Sequence, residues 1–119
     1  MKVWAVVGLG NNPDRAAFGV AKLLQDKGHQ IIPVYPRAEV VHGQIGYKAL
    51  SEIPVQVDVV DCFVNSSIVG KVVDEAIAIG AKAVWLQLDV IDESAVARAK
   101  AAGLLTVMNR CPAIEYRSR

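Results

Sequence analysis

A chain of 119 residues has room for one compact domain. Hydrophobic residues make up 53% of it and charged residues 21%, with nine glycines and five prolines, which excludes a disordered, collagen-like or coiled-coil chain. Thirteen basic residues against twelve acidic ones leave a net charge of +1, so no nucleic acid and no membrane surface is an expected partner.

The first element is Val3-Trp4-Ala5-Val6-Val7, a continuous apolar run stopped by Gly8. Such a run suits a strand buried on both faces, the pattern of a parallel sheet. It is too short for a secretory leader, and no stretch approaches the roughly 20 apolar residues of a membrane span. The expected address is the cytoplasm, where Cys62 and Cys111 stay reduced.

A helix follows, with Ala17, Val20, Ala21 and Leu24 at i, i+3, i+4 and i+7 and Gly28 at its stop. Ile31-Ile32-Pro33-Val34 is the second strand, and its proline belongs at a sheet edge or a strand end. Segment 38–56 is less regular; it is expected to hold a short strand near His42 to Tyr47 and a helical turn around Leu50 to Glu52. Val57 to Val64 reads as the next strand. A second helix repeats the apolar spacing at Val69, Val72, Val73 and Ala76, with Ser66 or Ser67 as N-cap and Gly80 as stop. Ala83 to Leu88 is a strand, Asp92 to Ala102 a helix closed by Gly103, and Leu104 to Met108 the last strand.

Strand–helix alternation over residues 1–119 predicts a single α/β domain. Its doubly wound, mainly parallel five-stranded sheet is expected in the order 3-2-1-4-5, the short strand of 38–56 at one edge and helices on both faces. In such a sheet ligands bind beyond the carboxyl ends of the strands, where the order reverses. That rule collects Gly8 to Arg15, Tyr35-Pro36-Arg37, Asn65-Ser66-Ser67, Gln87-Leu88-Asp89 and Asn109-Arg110.

The first of these loops is glycine-rich and leads into a helix, so its amides can hold a phosphate, with Arg15 adding a charged contact. A tight turn with a solvated arginine accounts for the same residues. Gly8-x-Gly10 begins the dinucleotide fingerprint, but Pro13 stands where the third glycine belongs. An NAD site wants a carboxylate at the end of the second strand. Here Val34-Tyr35-Pro36-Arg37 has none until Glu39. An arginine at that place fits a ribose phosphate, as in NADP or the 3′-phosphate of coenzyme A, unless it is an ordinary surface charge. Plain NAD is disfavoured.

No nucleophile–base set is legible. His29 and His42 read as surface or capping histidines, and Cys62 and Cys111 as small buried thiols. Asp58 and Asp61 are expected to mark a strand end or an exposed face rather than a metal site, and Trp4 and Trp85 to pack within strands.

The chain resembles the small single-domain CoA-binding proteins, the YccU-like group in particular. The segments that carry the likeness include Ala5-Val6-Val7-Gly8, Asn12-Pro13-Asp14-Arg15 and Gly28 to Val34. Val57 to Phe63, Glu75 to Lys82 and Val84 to Leu88 continue it, and Arg110-Cys111-Pro112-Ala113-Ile114-Glu115 closes it. The resemblance covers essentially the whole chain. It implies a Rossmann-like domain that binds coenzyme A or an acyl-CoA without catalysis and is related to the CoA-binding domain of acyl-CoA synthetases. Carried over, it puts Gly8, Gly10, Asn11 and Arg15 at the pyrophosphate, with Phe18 and Gly19 nearby. Val34, Pro36 and Arg37 fall on the adenosine side, and Phe63, Asn65 and Gln87 near the other half of the ligand. NADP is the lesser cofactor choice.

Departures from the family pattern cluster at these loops. Gly10 stands in place of a serine, Ala16-Ala17-Phe18 in place of Pro-Ser-Tyr, Val64 in place of an arginine and Asp89 in place of a glycine. Each lost hydrogen bond weakens binding by about 0.5–1.5 kcal/mol. The alternative reading is therefore a protein-interaction module or redesigned scaffold whose nucleotide site is vestigial. A homodimer or a protein partner stays open on base rates for soluble proteins.

Overall fold

The computed structural model describes residues 2–110. Five strands, β1 (Val3–Val7), β2 (Gln30–Val34), β3 (Val59–Cys62), β4 (Ala83–Leu86) and β5 (Leu105–Val107), form one parallel sheet in the order β2-β1-β3-β4-β5. Three helices, α1 (Ala16–Asp26), α2 (Ser66–Ala78) and α3 (Glu93–Ala101), and a 3₁₀ turn at Leu50–Glu52 complete the fold. This is the expected Rossmann-like arrangement, with the order reversing between β1 and β3.

Each helix lays down an apolar stripe of the predicted spacing. Ala17, Val20, Ala21 and Leu24 of α1 are buried with Trp4, Val6 and Ile31 on one face of the sheet. Val69, Val72, Val73 and Ala76 of α2 and Ala95, Val96 and Ala99 of α3 are buried on the other, against Ala5, Val60 and Val84. Glycines at positive φ follow all three helices, at Gly28, Gly80 and Gly103.

Segment 38–56 departs from expectation. It supplies no strand, only two isolated bridges: a local antiparallel Val41–Gln44 pair, and Tyr47 paired in parallel with Val34 at the free edge of β2. The Tyr47 N–H donates to the Pro33 carbonyl at 3.0 Å and the Tyr35 N–H to the Tyr47 carbonyl at 2.9 Å. The next bond of that ladder would need an N–H from residue 33, which proline lacks. Pro33 thus costs the β1–β2 ladder nothing while stopping the edge pairing from extending back along β2, so the expected 3-2-1-4-5 lacks its 38–56 member and the fifth place is taken by Leu105–Val107 at the opposite edge. The helical turn forms as expected at Leu50–Glu52.

Two smaller expectations also change. The residue before α2 is Asn65, not a serine, and no side chain caps that helix. Asp61, expected at a strand end or exposed face, is completely buried in the middle of the sheet, its register partners being Val6 and Trp85. Asp58 does stand at the start of β3, where its carboxylate accepts from the N–H groups of Lys2 and Val3 at 2.8 and 2.9 Å. Cys62 is buried as predicted; Cys111 and the segment to Arg119 lie outside the described residues. No described helix is long and apolar enough to cross a membrane.

Candidate functional site

A cavity of about 810 Å³ opens at the carboxyl ends of the strands, where the sheet order reverses. Its walls come from the β1–α1 connection, the end of β2, residues 48–50, the start of α2 and the β4–α3 loop. Seven of the twelve residues that the resemblance puts at the ligand line it: Gly8, Arg15, Val34, Pro36, Phe63, Asn65 and Gln87.

Gly8 is where β1 turns toward α1. Its φ is +99°, and a Cβ there would lie 2.4 Å from the Phe63 carbonyl oxygen, so the ends of β1 and β3 approach this closely only over glycine. Asn12 then folds the chain into α1: its side-chain oxygen accepts from the Asp14 N–H at 3.0 Å and its carbonyl from the Arg15 N–H at 3.1 Å.

The other five predicted residues lie off the cavity wall. Asn11 is held by the 38–40 segment, its N–H donating to Glu39 Oε1 at 3.2 Å and its side-chain amide to the Val40 carbonyl at 2.7 Å. The same Glu39 oxygen closes over Gly10, where a Cβ would meet it at 2.9 Å. Phe18 turns to the far side of α1 and packs on His42, ring centroids 4.3 Å apart. Gly19 is on the exposed surface of α1, and Arg37 is in an exposed turn closed by the Ala38 N–H on the Tyr35 carbonyl.

Lys48 also lines the cavity and was not among the predicted residues. A signal for it existed: it directly follows the short strand expected to end at Tyr47, and the carboxyl-end rule applied to that strand selects it. Neither Arg15 nor Lys48 forms an ion pair among the described residues.

Two helices open onto the same cavity, and both have bare N-termini. Arg15 before α1 and Asn65 before α2 provide no capping side chain, and neither first turn holds an acid. The Ser66 hydroxyl is used elsewhere, donating to the Asp89 carbonyl and accepting from the Ile91 N–H at 2.9 Å. In α3 the Asp92 carboxylate caps the Ala95 N–H at 3.0 Å and Glu93 occupies the first turn. The unsatisfied amides and partial positive charge at the start of α1 and α2 are therefore available to a ligand, and they favour an anion.

Beneath the floor lies the most polar contact of the interior. The Gln87 side-chain amide donates to Asp61 Oδ1, while Oδ2 has no partner among the described residues; both residues are essentially buried, at 3% and 0% exposure. Burial pushes the Asp61 carboxyl up to about 8, against the pull of the Gln87 hydrogen bond. Burial, with the Asp61 charge, also pushes the neighbouring Cys62 thiol up, which keeps it a poor nucleophile. No cluster of three or more His, Cys, Asp or Glu suited to a metal ion occurs among the described residues.

Comparison with known proteins now decides the family. The sequence profile of the CoA binding domain matches residues 2–117. The chain belongs to the CoA-binding domain family. It is 35% identical over 107 residues to the uncharacterized protein YneT of Bacillus subtilis, which covers 90% of this chain and 79% of that protein. The crystal structure of Prb, the PH1109 protein redesigned for binding, superposes with a TM-score of 0.94 at 38% identity, over 98% of this chain and 82% of that one. An acetyl-coenzyme A synthetase of Ca. Korarchaeum cryptofilum shares the fold at a TM-score of 0.79 and 24% identity; the match spans 91% of this chain and 26% of the synthetase.

Proposed function

We propose that this chain binds coenzyme A, free or as an acyl-CoA, in the cavity at the carboxyl ends of the strands, and that it does so without chemical transformation. The observation that carries the reading is the convergence of two cations without an ion pair among the described residues, Arg15 and Lys48, with two uncapped helix N-termini on one cavity of about 810 Å³. Phosphates are recognised by such groups, amides giving direction and cations giving charge. Membership of the family supplies the identity of the ligand.

In this reading the pyrophosphate lies over Gly8 and the start of α1, between Arg15 and Lys48. The adenosine side rests at Val34 and Pro36, and the pantetheine arm runs past Phe63 and Asn65 toward Gln87. Glu39 already holds the Asn11 amide, so Asn11 and Gly10 shape the loop rather than touch the ligand. Arg37, which suggested a ribose phosphate of either NADP or coenzyme A, lies off the cavity wall, so the preference for coenzyme A over NADP rests on the family. The non-catalytic role rests on the lining residues: His29 and His42 are not among them, and the buried Cys62 thiol is not activated.

The occupied Asn11 amide and the side chains absent at Gly10, Ala16, Ala17 and Val64 favour one alternative, a site too weakened to hold the nucleotide on a domain that serves protein contacts. Calorimetric titration with coenzyme A of the parent chain, Arg15→Glu and Lys48→Glu decides between them. Saturable one-to-one binding, weakened about tenfold or more by either reversal, is expected. No heat at any temperature supports the vestigial site.

A further inference from the structure

The cavity is chemically lopsided. Arg15 follows β1, and Lys48 follows Tyr47, which is bridged to β2, so both cations belong to one half. Neighbouring strands are about 4.8 Å apart, which sets the β4 end about 10–14 Å from them. Around that far end the wall is apolar, with Val64, Val72 and Val90, and with Ile68 and Leu88 each 49% exposed. Its acidic lining residues, Glu75 and Asp89, belong to elements that follow β3 and β4. Arg110, although next to Asn109, does not line the cavity.

The Asp89 carboxylate is not consumed by the fold. The loop there is shaped by main-chain bonds: the Asp89 N–H donates to Asn109 Oδ1 at 2.7 Å, the Asp89 carbonyl accepts from Ser66 Oγ, and the Val90 N–H donates to the Gln87 carbonyl at 3.0 Å. The backbone of Asp89 is left-handed, φ +66°, a conformation asparagine adopts as readily. Its side chain has no hydrogen-bond or ion-pair partner among the described residues, although it stands on the cavity wall.

We propose that the β3–β4 end of the cavity receives the acyl group of an acyl-CoA, that it accepts uncharged aliphatic chains, and that Asp89 rejects acyl groups ending in a carboxylate. This rests on the coenzyme A reading above and names the class of thioester. Ile68 and Leu88 cover a short hydrocarbon chain, whereas a carboxylate arriving there meets like charge with no cation at that end among the described lining residues. The factor expected of two like charges about 4 Å apart in water is about fivefold.

The test is calorimetric titration of the parent chain, Asp89→Asn and Glu75→Gln with coenzyme A, butyryl-CoA and succinyl-CoA. The parent binds butyryl-CoA at least as tightly as coenzyme A and succinyl-CoA about fivefold or more weakly than butyryl-CoA. Asp89→Asn brings the two thioesters within about twofold, and Glu75→Gln keeps most of the difference. Equal binding of the two thioesters by the parent overturns the proposal, as does a difference that survives Asp89→Asn or vanishes only in Glu75→Gln. If none of the three compounds binds to any variant, the coenzyme A reading itself fails, a result distinct from binding without discrimination.

Discussion

Gln87, at the end of β4, donates its side-chain amide to Asp61 in the middle of β3, and among the described residues these two are the buried polar side chains of the core. The second Asp61 oxygen has no partner among the described residues, so an ionised carboxylate there would be a buried charge with no counter-charge among them. The chain avoids that cost by keeping the proton, which makes the pair a source of pH dependence.

The sign follows from the raised value. Between about pH 4, where Asp61 ionises in the unfolded chain, and about pH 8, the folded state binds more protons than the unfolded state, so stability falls as pH rises. The loss is at most about 1.4 kcal/mol per pH unit and ends above the folded value. Asp61→Asn, which imitates the protonated acid, removes this slope. Urea unfolding at pH 5, 6, 7 and 8 should show the variant gaining on the parent across the series. Parallel pH profiles would mean that Asp61 is ionised in the fold.

Asp58 behaves in the opposite sense. The backbone N–H groups of Val3 and Lys2 hold its carboxyl below the usual range, so its contribution is present above about pH 4 and lost as pH falls through the folded value. Asp58→Ala should cost about 2 kcal/mol at pH 7, since two charge-assisted bonds tie the start of β1 to β3. The 3.4 Å pair with the exposed Lys82 adds little, and Lys82→Ala should cost under about 1 kcal/mol. Chemical denaturation of both variants at pH 7 and at a series of lower pH values checks the ratio and its decline in acid.

Gly8 and Gly28 share a positive φ, of +99° and +92°, but differ in surroundings. Alanine at Gly28 points into open space and carries only backbone strain, about 1–2 kcal/mol. At Gly8 the added Cβ also collides with the Phe63 carbonyl, and about 3 kcal/mol or more is expected, a drop in melting temperature of roughly 10 °C. Thermal melts of the two variants should separate clearly. Equal losses would show that the β1–β3 crossing relaxes freely.

Phosphate recognition by charge carries its own signature. Two exposed cations at the cavity make coenzyme A affinity fall with added salt, and the fall should flatten when Lys48 becomes alanine. Titrations at 50 and 300 mM sodium chloride measure both slopes. An affinity indifferent to salt would remove Lys48 from the site.

Much of this fold was legible because local and tertiary preferences agree. The runs at Val3, Ile31 and Ala83 are apolar on both faces, as strands covered by helices need, and the run at Leu104 carries the pattern to an edge where Leu105 is 62% exposed. What escaped the sequence had tertiary causes. Tyr47 bonds outward from β2, yet Pro33 denies it a second bridge, and that depends on which way an edge strand faces. Asp61 reads as a strand-end acid until Gln87, 26 residues later, is placed beside it. The carboxyl-end rule reaches nine lining positions, it adds Lys48 only when the chain ending at Tyr47 is given its place at the sheet edge, and the hold of Glu39 on Asn11 required the fold-back of the 38–40 segment.

The central claim, that coenzyme A sits at the carboxyl ends of the strands, is tested most directly by following backbone and side-chain amides by nitrogen-15 NMR during titration with coenzyme A. Saturable shifts are predicted at Gly8, Ala16, Ala17, Lys48 and Ser66 and at the Gln87 side chain, with Gly28 and Gly103 unmoved. Shifts that never appear at millimolar coenzyme A, or that gather away from those positions, would contradict the account.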